Sequence, residues 1–109
     1  MLFRSKSSKF YLDTLKLEPM ERPAFDFPGA WFRLGEFQEL HLIGGRVSDI
    51  LSQPRGNHFA LRADNLDEWE SHFNSIGQEY LPRRTRPDGA SQLFVADPDG
   101  HHVELFTGP

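Results

Sequence analysis

The stretch that decides the fold is "ADPDGHHVELF", residues 96–106. Asp97-Pro98-Asp99-Gly100 is tight-turn sequence: aspartates can bond their own backbone, proline presets one turn dihedral, and glycine accepts the left-handed position. "SQLFVA" (91–96) and "HHVELF" (101–106) lie on either side. They read as two antiparallel strands joined by that turn. On the second strand Val103 and Leu105 share one face, while His102 and Glu104 share the other. Glu104 is therefore either a carboxylate on a wet hairpin face or a group directed at a partner such as a metal. Of the three polar residues, Glu104 rather than His101 or His102 carries the chemical expectation.

Upstream, "NHFALRAD" (57–64) alternates in the same way, with His58, Ala60 and Arg62 on one face and Phe59 and Leu61 on the other. "DNLDEWESHFNSIG" then puts Leu66, Trp69, Phe73 and Ile76 on one helical stripe. Asn65 or Asp64 is suited to cap the helix start, Glu68 stands at capping-box spacing from Asn65, and Gly77 closes the helix. A polar stretch, "QEYLPRRTRPDG", holds a short strand around Tyr80. The order is strand, helix, then two or three strands.

The first half repeats this order without its front. "SSKFYLDTLKL" matches the helix and its exit, and "AWFRL" and "ELHLI" match the final hairpin. Leu40-His41-Leu42 occupies the register of Val103-Glu104-Leu105. The repeat predicts one domain over residues 1–109: an incomplete first βαβββ module (1–45), a Gly-, Pro- and Ser-containing linker (46–56), and a second module (57–109). The counterpart of "HFALRAD" falls ahead of Met1. The expectations are a shortened chain, an edge filled by another copy of the chain, or real loss of the strand.

Bulk properties narrow the classes of function. The chain has 109 residues and a formal charge of −4, with no basic face to track a phosphate backbone, so nucleic acid is not an expected partner. No apolar run approaches the roughly 20 residues that cross a bilayer, so no membrane partner is expected. Without cysteines there are no disulfides or thiolate metal sites. The start, "MLFRSKSSKFYL", is basic and serine-containing like a weak transit peptide, but it also supplies the first helix. The expected location is cytoplasmic.

Alternation places His41, His58 and Glu104 on the face opposite the apolar one, from three different strands. Two imidazoles and one carboxylate with open positions suit Fe(II), Zn, Mn or Ni; the plainer reading of a strand histidine is a solvated side chain. Arg83, Arg84 and Arg86 form either an anion clamp or a solvated loop. Arg33 with Trp31, and Gln92 and Phe94 with Ala96, share strand faces and are candidates for lining a pocket. Phe94 serves equally as core. His72 reads as solvent-facing, Phe10 and Tyr11 as helix packing.

"SKFYLDTLKLEP", "GAWFRLG" with "LHLI", "NHFALRADNLDEW" and above all "DGASQLFVADPDGHHVELF" resemble the vicinal oxygen chelate superfamily, the glyoxalase/bleomycin resistance/extradiol dioxygenase group. The resemblance runs from Ser7 to Phe106. It implies an α+β fold of paired βαβββ modules forming an open cup-shaped mixed sheet with outer helices, here without the first module's opening strand. It also implies a homodimer, a small-molecule ligand, and a divalent metal held by His41, His58 and Glu104. The family's further histidine, on the opening strand, has no counterpart here. By the same resemblance Glu104 would be catalytic, and Arg33, Gln92 and Phe94 would contact substrate. The function so implied is that of a metal-dependent lyase, isomerase or dioxygenase acting on vicinal oxygens. The alternative is a non-catalytic protein that binds or sequesters small molecules, including drugs.

Overall fold

Asn65 starts the long helix. It is extended (φ −151°), and its side-chain oxygen accepts from the backbone N–H groups of Asp67 and Glu68 at 2.8 and 3.4 Å. Asp67 and Glu68 in the first turn complement the positive end of the helix. Gly77, at φ +70°, ends it in the left-handed conformation that residues with a Cβ avoid. This computed structural model describes residues 5–46 and 48–108; residues 1–4, which open the basic start noted above, lie outside the described residues, as do 47 and 109. The chain divides into two compact units, Met1–Asp49 and Ile50–Pro109.

In the second unit the order is β4 (Phe59–Arg62), α2 (Leu66–Ile76), β5 (Leu81–Thr85), β6 (Ser91–Ala96) and β7 (His102–Thr107). The sheet runs β4-β7-β6-β5, with β4 parallel to β7 and the other pairs antiparallel. Leu93, Val95, Val103 and Leu105 are buried on one face, and α2 brings Leu66 and Phe73 to the core. The predicted helical stripe is narrower than its sequence: Ile76 is half exposed. The 97–100 turn is held by Asp97, whose Oδ1 accepts from the N–H groups of Asp99 and His101, while Gly100 takes φ +99°.

The first unit holds α1 (Lys6–Lys9), which widens into a π-helical turn over Phe10–Thr14, then β1 (Glu18–Met20), β2 (Gly29–Arg33) and β3 (Glu39–Ile43). Ser5 caps α1 by accepting from the Ser8 N–H at 3.0 Å. Phe10, Tyr11, Leu15, Ala30 and Phe32 are buried, and the Phe10 and Tyr11 rings meet edge to face at 5.2 Å. The antiparallel sheet runs β1-β2-β3. In the second unit β7 lies between β6 and β4. Its counterpart β3 pairs with β2 alone among the described residues, in keeping with a module that lacks its opening strand.

Three elements differ from the sequence reading. β1 carries no strand pattern in the sequence; its Pro19 cannot donate to a ladder, which suits a strand at the sheet edge. β5 covers Leu81–Thr85 rather than centring on Tyr80, so Arg83 and Arg84 lie on a strand and not in a loop. The first helix is regular for only four residues before it widens.

Asn65→Ala is expected to cost about 1 kcal/mol through loss of the cap. Phe73→Ala, which opens a cavity at a fully buried ring, is expected to cost about 3–5 kcal/mol. Urea midpoints at constant slope measure both.

Candidate functional site

β4, β7 and β6 bring the chemistry of the second unit together. Their register aligns Ala60, Glu104 and Phe94 in one row, and His58 stands just before β4, two residues from Ala60 and on the same face. Glu104 is only 6% exposed. A carboxylate buried to that degree is stable only when paired and hydrogen-bonded. Both its oxygens are engaged: Oε1 lies 3.2 Å from His58 Nε2, and Oε2 accepts from Arg86 Nη1 at 2.9 Å.

The other nitrogen of His58 sets the character of this contact. Nδ1 lies 3.2 Å from the Gly56 carbonyl oxygen, which can only accept, so Nδ1 carries the proton. In the neutral ring Nε2 is then a lone pair facing a carboxylate oxygen. Two acceptors at 3.2 Å are reconciled either by a second proton on the ring or by a cation between them. Donors about 2.1 Å from a common metal stand roughly 3.0–3.4 Å apart. The His58–Glu104 spacing therefore fits a divalent ion, and the Gly56 contact fixes the tautomer that a ligating imidazole needs. The His58 ring is steadied by an edge-to-face contact with Phe94, centroids 5.0 Å apart.

Arg86 anchors the carboxylate from the other side. Its Nε and Nη2 both bind Asp88, and its guanidinium lies over the Phe106 ring at 5.1 Å. Asp88 also accepts from the Ala90 N–H at 3.1 Å. Hydrogen bonds from Arg86 and then from the Ala90 backbone pull the Asp88 carboxyl down to about 2. Bonds to Asp88 and Glu104 raise the Arg86 guanidinium further above its ordinary value. Sequence reasoning places Arg86 only in a loop. The signal for it is "RPDG" (86–89), a turn that returns an arginine toward the preceding strand.

The remaining candidates separate. Among the described residues of the second unit, no third His, Asp or Glu joins His58 and Glu104. His41, in the first unit, stacks flat on Trp31 (3.8 Å, 2°), and its Nε2 lies 2.8 Å from Glu39 Oε1. Arg33 pairs with Glu18 at 3.5 Å. Gln92 sits opposite Phe106 on β7 and Arg84 on β5. Arg83 is bound by Asp67 and Glu70 of α2, which makes it a structural residue rather than part of a clamp. His102 donates its backbone N–H to Ser52 Oγ at 2.9 Å, and its Nδ1 is buried without a partner among the described residues.

No family model matches the chain. The chain is 28% identical over 108 residues to Glyoxylase I 4 of Arabidopsis thaliana, an alignment covering 92% of this chain and 62% of that protein. It is 29% identical over 109 residues to the metallothiol transferase FosB of Bacillus licheniformis, covering 95% of this chain and 68% of the relative. The chain thus spans just under or just over two thirds of these relatives. Among solved structures, a glyoxalase family protein from Enterococcus faecalis superposes with a TM-score of 0.73 at 28% identity, over 94% of this chain and 88% of that one. With paired modules, a glyoxalase-type fold and these relatives, the chain belongs to the vicinal oxygen chelate superfamily.

The Asp88–Arg86 pair has a defined pH window. Because the Asp88 carboxyl is depressed in the folded chain, its contribution to stability is present above about 4 and is lost as pH falls through about 2. Carboxyl-carbon NMR should show Asp88 titrating near 2, and near the ordinary value of about 3.9 in Arg86→Gln.

Proposed function

We propose that the chain forms a metal-dependent enzyme of the vicinal oxygen chelate type, acting on a small molecule with adjacent oxygens, with His58 and Glu104 as two of its metal ligands. The observation that carries this reading is the pair of facing acceptors, His58 Nε2 and Glu104 Oε1 at 3.2 Å, with the ring proton already committed to Gly56. Similarity to a protein named as a metallothiol transferase supports it. A divalent cation bound there would act as a Lewis acid toward substrate oxygens.

The chain's own residues supply the rest. Arg86 holds Oε2 of Glu104, leaving Oε1 as the free ligand atom and limiting the carboxylate's rotation. Glu104 is the group placed to take and return a proton at the substrate, a role open to a carboxylate beside a cation. Phe94 gives the site an apolar wall. Whether the reaction is a lyase, isomerase, dioxygenase or thiol transferase step rests on substrate, which fold does not select.

One observation favours a non-catalytic binding protein instead. Arg86 and a protonated His58 together satisfy Glu104 without any metal. Beside Phe94 opens a cavity of about 620 Å³, lined also by Tyr80, Leu81, Ala96 and His102. That volume suits a drug-sized ligand.

Metal content after dialysis against Zn, Mn, Ni or Fe(II) separates the two. About one equivalent in the wild type, falling at least tenfold in affinity in His58→Ala and Glu104→Gln, supports the enzyme. No metal in the replete wild type leaves the binding protein. His41→Ala carries the same test for the third ligand expected from the sequence repeat. We further propose a homodimer, with β3 as the strand whose outer edge a partner covers. Sedimentation equilibrium should give twice the chain mass, and a monomer at every concentration would refute it.

A further inference from the structure

We infer that the second unit carries an oxyanion-binding groove beside the His58–Glu104 pair, built by Arg55, Arg84 and Gln92, and that the ligand seated there bears a phosphate or carboxylate group. This deepens the proposed function by naming a substrate class, and it rests on that reading only for its neighbour, not for its own affinity. The groove has a volume of about 620 Å³ and is lined by Arg55, Arg84, Thr85, Arg86, Asp88 and Gln92 among others. Three arginines face one aspartate in a chain whose formal charge is −4.

What separates these arginines is how far each is already spent. Arg83 is bound by Asp67 and Glu70, and Arg86 by Asp88 and Glu104. Arg55, Arg84 and the Gln92 amide have no hydrogen-bond or ion-pair partner among the described residues. A bulge in β5 produces this division. Between the pairs Leu81↔Phe94 and Arg84↔Gln92 the register advances three positions on β5 and two on β6. The extra residue turns Arg84 onto the face of Gln92, Phe94 and Glu104, while Arg83 stays with α2. Without the bulge, strict alternation would put Leu81 and Arg84 on opposite faces.

Two guanidinium forks and an amide offer several N–H donors and no acceptor charge of their own, which is the chemistry of phosphate and carboxylate recognition. Arg86 joins the groove to the buried site, because the guanidinium that lines it also holds Glu104 Oε2. A ligand anchored by its anionic group would thus present its adjacent atoms to Glu104.

The test uses the full chain stripped of metal with chelator, with inorganic phosphate and propionate as probes, followed by calorimetry and by phosphorus NMR. Wild type should bind at least one of them, with affinity that falls as NaCl rises. The variant Arg55→Gln/Arg84→Gln should lose roughly tenfold or more, whereas Lys6→Gln, which removes a surface charge in the other unit, should not. Both variants should keep the wild-type urea midpoint. Stronger phosphate than propionate binding assigns a dianionic group, and the reverse assigns a carboxylate. No binding by wild type, an unchanged double variant, or an equal loss in Lys6→Gln overturns the groove. Metal titration of the double variant should match wild type, and a parallel fall there would mean that the arginines act only through Glu104, which also overturns it. Since the anion is measured without metal, the metal reading fails separately, on its own titration.

Discussion

The buried carboxylate of Glu104 is the constraint around which the second unit is arranged. Removing an ionised group from water costs several kcal/mol unless partners restore what hydration gave. Three segments supply those partners. The strand of Glu104 itself fixes its position, the entry to β4 brings His58, and the 86–89 turn brings Arg86. Each partner is in turn held by another group, His58 by the Gly56 carbonyl and Phe94, Arg86 by Asp88 and Phe106. Such a chain of supports is what a preorganised site needs, since a ligand atom is only as well placed as the residues behind it.

Charge is distributed unevenly over that scaffold. Arg83 and Arg86 neutralise carboxylates of this chain, one set on α2 and one beside the site. Arg84 is adjacent to Arg83 in sequence and yet has a different role, because a strand with one extra residue points neighbours in directions that plain alternation would not. Proximity in sequence is therefore a poor guide to shared function here. The three arginines of "PRRTRPDG" do three separate things.

Much of the architecture is legible in the amino-acid sequence. The DPDG turn, the Asn65 cap, the Gly77 stop and the common face of His58 and Glu104 all depend on local chemistry or on strict periodicity, which a sequence displays directly. The features that it conceals depend on neighbours remote in sequence or on broken periods. β1 contains a proline and only three residues, so no alternation marks it. The π-helical turn after Lys9 follows no pattern that a 3.6-residue period reveals. The β5 bulge breaks the very rule by which strands are recognised. That Arg86 reaches Glu104 follows from the turn geometry and the β6–β7 pairing together, and neither alone announces it. His41 has the parity expected of it, opposite Trp31, but its ring nitrogen lies against Glu39, a contact between positions two apart on one strand face.

The parallel pairing of β4 with β7 carries a kinetic consequence. His58 and Glu104 are 46 positions apart, and α2, β5 and β6 all intervene. Hairpins can zip from their turns, but parallel neighbours must wait for a large loop to close, which is slow and comes late. Partly folded chains would thus have the β6–β7 hairpin while still lacking any binding competence. Conversely, a ligand that grips both residues staples β4 in place, so occupancy of the site would retard unfolding from that edge of the sheet.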